Sequence, residues 1–275
     1  MSTLAVVGTG INVGQLTAEA ADWIRTADKL LYCVSDAATE RMLLTLNQNS
    51  ESLYGYYGEG KQRAETYEQM VLRTLECLEQ VDTLAVAYYG HPGFFVSPSH
   101  RAIRIARERG HEAFMLPSVS SFDCLLADLG LNVASGCQIF EATDLMIRER
   151  SIDVCSHVIV MQVSSLGDFG YSFAGFDHRN LASLREYLRK YYPDDFVVTA
   201  YYASQFSVAK PRVDQLKVAE LTLENVNSIA TLYVPPLRTA TLHLRRLKEY
   251  GIEEKLLQNK TLVPLNVKSE DELIG

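Results

Sequence analysis

Four of the fifteen tyrosines, Tyr54, Tyr56, Tyr57 and Tyr67, fall within fourteen residues, and Arg63 stands among them. Arg63 and Tyr67 lie four residues apart in a run, 62–80, whose apolar spacing predicts an amphipathic helix, so their side chains share a face. A phenol is protonated at neutral pH, with an ordinary pKa of about 10. A guanidinium within about 4–6 Å favours the phenolate. Such a pair takes a proton from a weakly acidic N–H, or holds negative charge as it develops on a carbonyl oxygen. A surface arginine whose stem packs on a tyrosine ring accounts for the same spacing, and these residues alone leave both readings open. Gly55, Gly58 and Gly60 make Leu53–Lys61 a loop.

Three further loops follow strand-like runs. Leu4–Val7 leads into Gly8-Thr-Gly10-Ile-Asn-Val-Gly14. Glycines directly after a strand let backbone approach a ligand, and the N-terminus of the next helix attracts anions. With Asp36 after the second strand-like run, a nicotinamide site is one option. The third glycine, however, comes one residue late for GxGxxG, and a tight turn explains the glycines equally well. No GxxxxGK[ST] is present, which argues against P-loop chemistry. The second loop, Tyr89-Gly90-His91-Pro92-Gly93-Phe94-Phe95-Val96, ends a buried strand and opens a helix with an early proline. The third, Pro117-Ser118-Val119-Ser120-Ser121, opens the helix Phe122–Leu129. Two such turns after successive strands place backbone amides and hydroxyls around one crevice at the strand ends. His91 is either a general base or a turn histidine bonding a backbone group or a ligand carboxylate. His100 and Arg101 belong to a helix face.

The elements that must hold these loops read as strands at Leu4–Val7, Lys29–Cys33, Thr83–Tyr88, Glu112–Leu116, Cys137–Glu141, Val158–Val163, Phe196–Ala200 and Ser228–Val234. Helices are expected at Gly14–Ala27, Ala37–Leu46, Gln62–Gln80, Ser99–Arg109, Phe122–Leu129, Asn180–Tyr191 and Leu237–Tyr250. The β-α-β-α order predicts an α/β protein with a mostly parallel sheet in an N-terminal domain, residues 1–132. A mixed-sheet second domain, residues 133–236, carries one long helix, and Pro235-Pro236 ends its last strand. A C-terminal helix and tail fill residues 237–275.

The 275 residues carry 34 acids and 26 bases, a net charge of −8, with 47% hydrophobic and 22% charged residues. This is the composition of a soluble globule. The negative balance argues against a nucleic-acid surface. No apolar run approaches the roughly 18 residues of a bilayer span, and no secretory signal is visible, so a cytoplasmic protein is expected. The odd cysteine count without CxxC predicts reduced, mostly buried thiols and no disulfide. No Cys/His cluster has metal spacing, so no metal is expected. Asn259-Lys-Thr261 is a chance sequon.

In order, strand-GxG, YGHPG, PSVSS and Asp128-Leu-Gly-Leu131 resemble the tetrapyrrole-methylase superfamily, and within it the borosin peptide-backbone N-methyltransferases. The likeness runs from residue 3 to about residue 250 and is densest over Leu53–Gly130. It implies a two-domain class III methyltransferase fold with S-adenosyl-L-methionine in the cleft between domains and S-adenosyl-L-homocysteine as product. It implies cofactor contacts from Tyr89, His91, Phe94, Phe95, Ser120 and Ser121, from Gln162, and from Ala203, Ala230 and Thr231. Ser118-Val-Ser120-Ser121 departs from the Gly-Val-Ser-Ala common in that group. Tyr57, Arg63, Tyr67 and Tyr89 fall at the spacings of the borosin catalytic group. Arg63 and Tyr67 are thereby implied in proton removal and amide polarisation, with Tyr57 supporting. Tyr89 would sit where methyl meets substrate, and Tyr54 would line the peptide channel. A peptide nitrogen needs that help because its lone pair is delocalised.

Some borosin enzymes carry their substrate as a C-terminal extension. The short acidic tail Lys260–Gly275 looks instead like the split form, acting on a separate precursor peptide. A homodimer is implied too, with helix Gln62–Gln80 near its interface and Val71, Leu72, Leu75 and Leu78 serving either core or dimer. A methyltransferase of a tetrapyrrole or other small metabolite on the same fold is the alternative, and a non-catalytic peptide-binding or S-adenosylmethionine-sensing module is a further one.

Overall fold

The computed structural model describes residues 1–253 apart from 35, 177, 178, 223, 224 and 227–229. The tail and the Asn259 sequon lie outside the described residues, as does the start of the expected strand Ser228–Val234. The chain forms two compact units, one of residues 1–129, 168–176 and 203–212, the other of 130–167, 177–202 and 213–275.

In the first unit the strands are β1 (Thr3–Gly8), β2 (Lys29–Cys33), β3 (Ser50–Ser52), β4 (Thr83–Tyr88) and β5 (Glu112–Met115). They form one sheet in the order β3-β2-β4-β1-β5, and every pairing is parallel. Both faces are covered, so the strands read as continuous apolar runs while their side chains still alternate. Leu4, Val6, Leu84, Val86 and Tyr88 join one buried cluster, whereas Val7, Leu30, Ala85 and Ala87 join another. The first cluster takes Met70, Val71, Leu75 and Leu78 of helix α3 (Arg63–Leu78) and Ala102, Ile103 and Ala106 of α4 (Ser97–Glu108). The second takes Ala20 and Ile24 of α1 (Ala18–Thr26) and Leu43 of α2 (Ala37–Leu46). Helix α5 (Ser121–Asp128) follows β5. The chain leaves β1 toward β2 and leaves β4 toward β5 on the opposite side of β1, so the β1/β4 carboxyl ends are a topological switch point.

The second unit holds β6 (Cys137–Glu141), β7 (His157–Met161), β8 (Val197–Tyr202), β9 (Arg212–Lys217) and β10 (Thr231–Val234), in the order β6-β7-β10-β8-β9. β6 and β7 are parallel, and β10 runs antiparallel to both β7 and β8. Helices α6 (Ala142–Ile147), α7 (Leu181–Leu188) and α8 (Leu244–Glu249) accompany it.

Several elements depart from the sequence expectation. The run Gly14–Ala27 breaks into a 3-10 turn at Val13–Gln15 and then α1, because extended Thr17 restarts the helix by accepting the Ala20 N–H at 3.1 Å. Strand β3 is three polar residues without an apolar pattern, and β9 is a largely exposed strand at the sheet edge. Both escape a search for apolar runs. Leu237–Tyr250 shortens to six helical residues, and the one long helix expected in the second unit is the eight-residue α7. Of the cysteines only Cys77 is buried, the other four being half-buried.

Candidate functional site

The carboxyl ends of β1 and β4 meet backbone to backbone. Gly10 and Gly90 exchange both N–H···O bonds at 3.3 and 2.9 Å, each glycine at a φ near +70°. A Cβ on Gly8 would stand 2.2 Å from the Gly90 carbonyl oxygen, 2.6 Å from Ser118 Cβ and 2.7 Å from Pro92 Cδ. The glycines are therefore fixed first by the crossing of three loops, a requirement of packing that holds whatever ligand is bound.

Around that crossing, the Pro92 and Val96 carbonyls accept from Ser99 Oγ at 2.5 and 2.6 Å, locking the Tyr89–Val96 loop onto the start of α4. His91 Nδ1 accepts the Gly93 N–H at 2.9 Å, the turn-histidine arrangement. Phe94 lies edge-on to Phe95 and stacked with Phe122, at centroid distances of 4.6 and 6.3 Å. Phe95 holds a φ of +60° and is 43% exposed, a conformation that costs a non-glycine residue strain and concentrates at ligand sites.

In the third loop, Ser120 is the N-cap of α5. Its hydroxyl and N–H both donate to Asp123 Oδ2, at 2.6 and 2.7 Å, and its Oγ accepts the Asp123 N–H at 3.3 Å. Ser121 is the first residue of the helix. The hydroxyl left over is one the sequence did not single out for this role: Ser118 Oγ is buried and has no hydrogen-bond partner among the described residues. Asp36 is comparable, its Oδ1 capping α2 at 2.7 Å while Oδ2 stays buried and unpartnered among the described residues. Tyr89 is hydrogen-bonded to Gln205, and burial pushes its phenol above the ordinary value, with Cys124 and Asp36 adding to the rise. Ala203 lies beyond β8, in the stretch 203–212 that belongs to this unit.

The phenol group is built on the same unit. Helix α3 has no side-chain N-cap, and the N–H of its first residue, Arg63, is satisfied by the Phe169 carbonyl at 2.9 Å. The guanidinium donates to the Asp168 carbonyl and lies 5.8 Å from the centre of the Phe176 ring. Tyr67, one turn on, is edge-to-face with Tyr57 at 6.5 Å. Tyr57 in turn lies 5.4 Å from Tyr54 and 4.4 Å from Tyr171. The hydroxyls of Tyr54 and Tyr171 are 2.5 Å apart.

Burial first, then Cys33, Tyr67 and Tyr171, raises the Tyr57 phenol far above its usual range. Tyr57 is thus held as a protonated donor, the opposite of what a guanidinium-activated phenol would show. Cys33, close to Tyr57, is pushed up to about 12 by burial and remains a thiol. Arg63, Tyr54, Tyr57 and Tyr67 are all half-buried. Tyr56 turns the other way, its carbonyl accepting from Lys61 Nζ at 2.8 Å.

The remaining residues lie in the second unit. Gln162 is exposed at a φ of +58°, and its carbonyl accepts from Ser165. Ala230 and Thr231 are buried at the start of β10, with Ala230 in the core cluster, which leaves their backbone as the part able to meet a ligand.

The profile of the Tetrapyrrole (Corrin/Porphyrin) Methylases matches residues 3–216. The chain belongs to the tetrapyrrole methylase family, and with it to the methyltransferases. It is 43% identical over 241 residues to the methyltransferase/ribosomally synthesized cyclic peptide dendrothelin A precursor of Dendrothele bispora, over 85% of this chain and 58% of that protein. To the corresponding omphalotin A precursor of Omphalotus olearius it is 41% identical, again over 85% and 58%. The chain thus spans somewhat over half the length of these relatives. In fold it resembles the uroporphyrin-III C-methyltransferase of Thermus thermophilus, with a TM-score of 0.62 at 16% identity, covering 92% of this chain and 97% of that one. A structure of that enzyme complexed with S-adenosyl homocysteine gives 0.58 at 17% identity, over 85% and 92%.

In this tetrapyrrole methylase, the β1/β4/β5 ends carry groups from which a ligand site can be built. Ser118 Oγ there, and Asp36 Oδ2 after β2, are buried polar atoms without partners among the described residues, the Phe94, Phe95 and Phe122 rings supply an apolar face, and crossed glycine loops bring backbone close.

Proposed function

We propose that this methylase transfers the methyl group of S-adenosyl-L-methionine to backbone amide nitrogens of a peptide, releasing S-adenosyl-L-homocysteine. The observation that carries this reading is the packing of Tyr57 against Tyr54, Tyr67 and Tyr171 beside the start of α3, whose first residue is Arg63, in a chain 43% identical to a methyltransferase joined to a cyclic peptide precursor. Bound S-adenosyl-L-methionine supplies an electrophilic methyl group on a sulfonium; the protein must make the amide reactive. Methylating a neutral electron-rich carbon needs no such help, whereas an amide nitrogen must lose its proton while charge moves to the carbonyl oxygen.

Tyr57, kept protonated by its surroundings, is a donor for that oxygen. The fixed charge of the Arg63 guanidinium stabilises the same developing imidate. Tyr67, edge-to-face with Tyr57, is assigned with Arg63 to removal of the amide proton. Tyr54 lines the peptide path, and Tyr89 stands where the methyl group and the nitrogen meet. Tyr89, His91, Phe94, Phe95, Ser120 and Ser121, with Ser118 added, are assigned to the cofactor, as are Gln162, Ala203, Ala230 and Thr231.

The peptide is proposed to be accepted as a separate chain. A working homodimer is also proposed. Val71, Leu75 and Leu78 of α3 are core residues, which leaves Leu72, 48% exposed, as the member of that set available to a partner copy. Comparing the sedimentation of the parent protein and Leu72→Glu tests it. The decisive experiment is intact-mass analysis of a synthetic precursor-like peptide incubated with enzyme and S-adenosyl-L-methionine. Mass increments of one methylene, mapped to backbone nitrogens by fragmentation, are expected. Increments on side chains, or turnover of a tetrapyrrole alone, would refute the reading.

A further inference from the structure

We infer that Tyr171, on the segment 168–176, is a positioning residue that sets the geometry of both Tyr54 and Tyr57. The inference rests on the proposed role of the phenol group. Those two tyrosines sit at a 3-10 turn, Tyr54–Tyr56, whose backbone is closed by Tyr56 N–H to Leu53 and Tyr57 N–H to Tyr54, both at 3.1 Å, while their side chains stand out from it with Gly55, Gly58 and Gly60 nearby. No neighbouring atom lies within 4 Å of where a Cβ on Gly55 or Gly60 would be, so no packing holds the turn from those sides.

The residues that follow, 59–63, are clasped by a segment more than one hundred residues away in sequence. Gly60 N–H donates to the Tyr171 carbonyl at 2.8 Å, Tyr171 N–H to Lys61 at 2.9 Å and Arg63 N–H to Phe169 at 2.9 Å. Phe173 N–H adds a bond to Glu59 Oε2 at 2.8 Å. From this short antiparallel clasp the Tyr171 side chain reaches back with two different contacts. Its ring lies over Tyr57 at 4.4 Å and 31°, and its hydroxyl meets that of Tyr54 at 2.5 Å. One side chain therefore sets the tilt of one phenol and the hydrogen-bond direction of the other. The same segment carries Asp168, whose carbonyl receives the Arg63 guanidinium. Phe173 backs the Tyr171 ring edge-on at 5.1 Å.

The two contacts are separable, which gives the test. Protein labelled with 3-fluorotyrosine is prepared as the parent and as Tyr171→Phe, Tyr171→Leu and Tyr171→Ala, with Tyr54, Tyr57 and Tyr89 resonances assigned by Phe substitution. Tyr171→Phe is expected to shift the Tyr54 resonance and leave Tyr57 near its parent position. Tyr171→Leu and Tyr171→Ala are expected to shift both, with Tyr89 unmoved. In the methylation assay, Tyr171→Phe retains most of kcat, while the two ring-less variants lose about tenfold or more in kcat. Their affinity for S-adenosyl-L-homocysteine by calorimetry stays that of the parent. Unshifted Tyr54 and Tyr57 resonances in Tyr171→Ala, or a parent-like kcat, overturn the inference. A parent enzyme inactive on every peptide refutes the proposed function instead, and the resonances still decide whether Tyr171 positions the phenols. Should Tyr171→Ala not fold, Tyr171→Leu and Tyr171→Phe carry the same comparison.

Discussion

Two parts of the first unit solve opposite problems. At the ends of β1 and β4, backbone meets backbone: Gly8 and Gly10 leave no room for a methyl group, and Gly90 holds a φ of +71°. At the start of α3, side chains meet side chains: four tyrosines pack through rings and hydroxyls, each only partly buried, beside an arginine tied to the Asp168 carbonyl. The first is a fixed frame, in which an atom added at Gly8 collides with main chain that cannot turn aside. The second is an adjustable cluster, in which a lost hydroxyl leaves neighbouring rings in place. Substitutions in the frame should abolish folding and donor binding together; substitutions in the cluster should separate chemistry from binding.

Gly8→Ala sharpens the contrast most. Its methyl group would lie 2.2 Å from the Gly90 carbonyl oxygen, and relieving that overlap means parting the Gly10–Gly90 pair. We expect a loss of about 3 kcal/mol or more, seen as a collapse of the urea midpoint, together with loss of S-adenosyl-L-homocysteine binding. A soluble Gly8→Ala protein of parental stability would show that the loops do not cross as described.

Next in size are Arg63→Ala and Tyr67→Phe. Each is expected to lower methylation by about 100-fold or more, with calorimetric binding of S-adenosyl-L-homocysteine and the urea midpoint little changed. Arg63→Lys should not restore the rate, since a lysine lacks the planar fork that serves a carbonyl oxygen and a second acceptor at once. Parental rates in both would remove amide activation from the cluster.

The same contrast explains how far sequence reaches. Lys29–Cys33, Thr83–Tyr88, Ala37–Leu46 and Cys137–Glu141 are legible to the residue, because each is a continuous apolar run or a full amphipathic period bounded by turn or capping residues. Gly8 and Gly90 are legible as glycines, but their reason is not: spacing cannot say that one loop occupies the space of the other's side chain. In the phenol cluster, Tyr54, Tyr57, Arg63 and Tyr67 fall on one stretch of chain, so pattern finds them. Tyr171 and Asp168 come from 117 and 105 residues away and leave no local trace. Nor does spacing reveal the direction of the Tyr57 pKa, since burial outweighs whatever charge lies nearby.

Ser120→Ala carries a smaller effect and divides frame from ligand contact. The Ser120 hydroxyl is engaged both ways with Asp123 at the head of α5. Its removal should cost about 1 kcal/mol by loss of the cap, read as a shifted urea midpoint. Donor affinity measured on the folded fraction should fall less than in Ser118→Ala, which removes the buried hydroxyl left unpartnered among the described residues. The reverse ranking would return the cofactor role to Ser120 alone.

The smallest effect is expected from Tyr88→Phe, and it comes with a sign that changes with pH. Tyr88 is 4% exposed at the end of β4, and its hydroxyl has no partner among the described residues. Burial first, then the nearby Cys33, raises its phenol well above the ordinary value of 10.0. Near pH 7 the substitution removes a buried polar atom without breaking a bond, so stability should be unchanged or slightly higher. Above about pH 10 the unfolded chain loses the Tyr88 proton while the folded protein keeps it. The raised group's contribution is thus complete below pH 10 and declines as pH climbs toward its folded value. That decline is about 1.4 kcal/mol per pH unit for one fully responding phenol. Tyr88→Phe should therefore unfold less steeply with pH than the parent between about pH 10 and 11.5, measured as urea midpoints at each pH. Tyr57→Phe, whose group is raised in the same direction, should flatten the same curve, and unlike Tyr88→Phe it should also slow methylation at pH 7. Parallel alkaline curves for Tyr88→Phe and the parent would mean that the end of β4 admits water, and that the frame is looser than its glycines require.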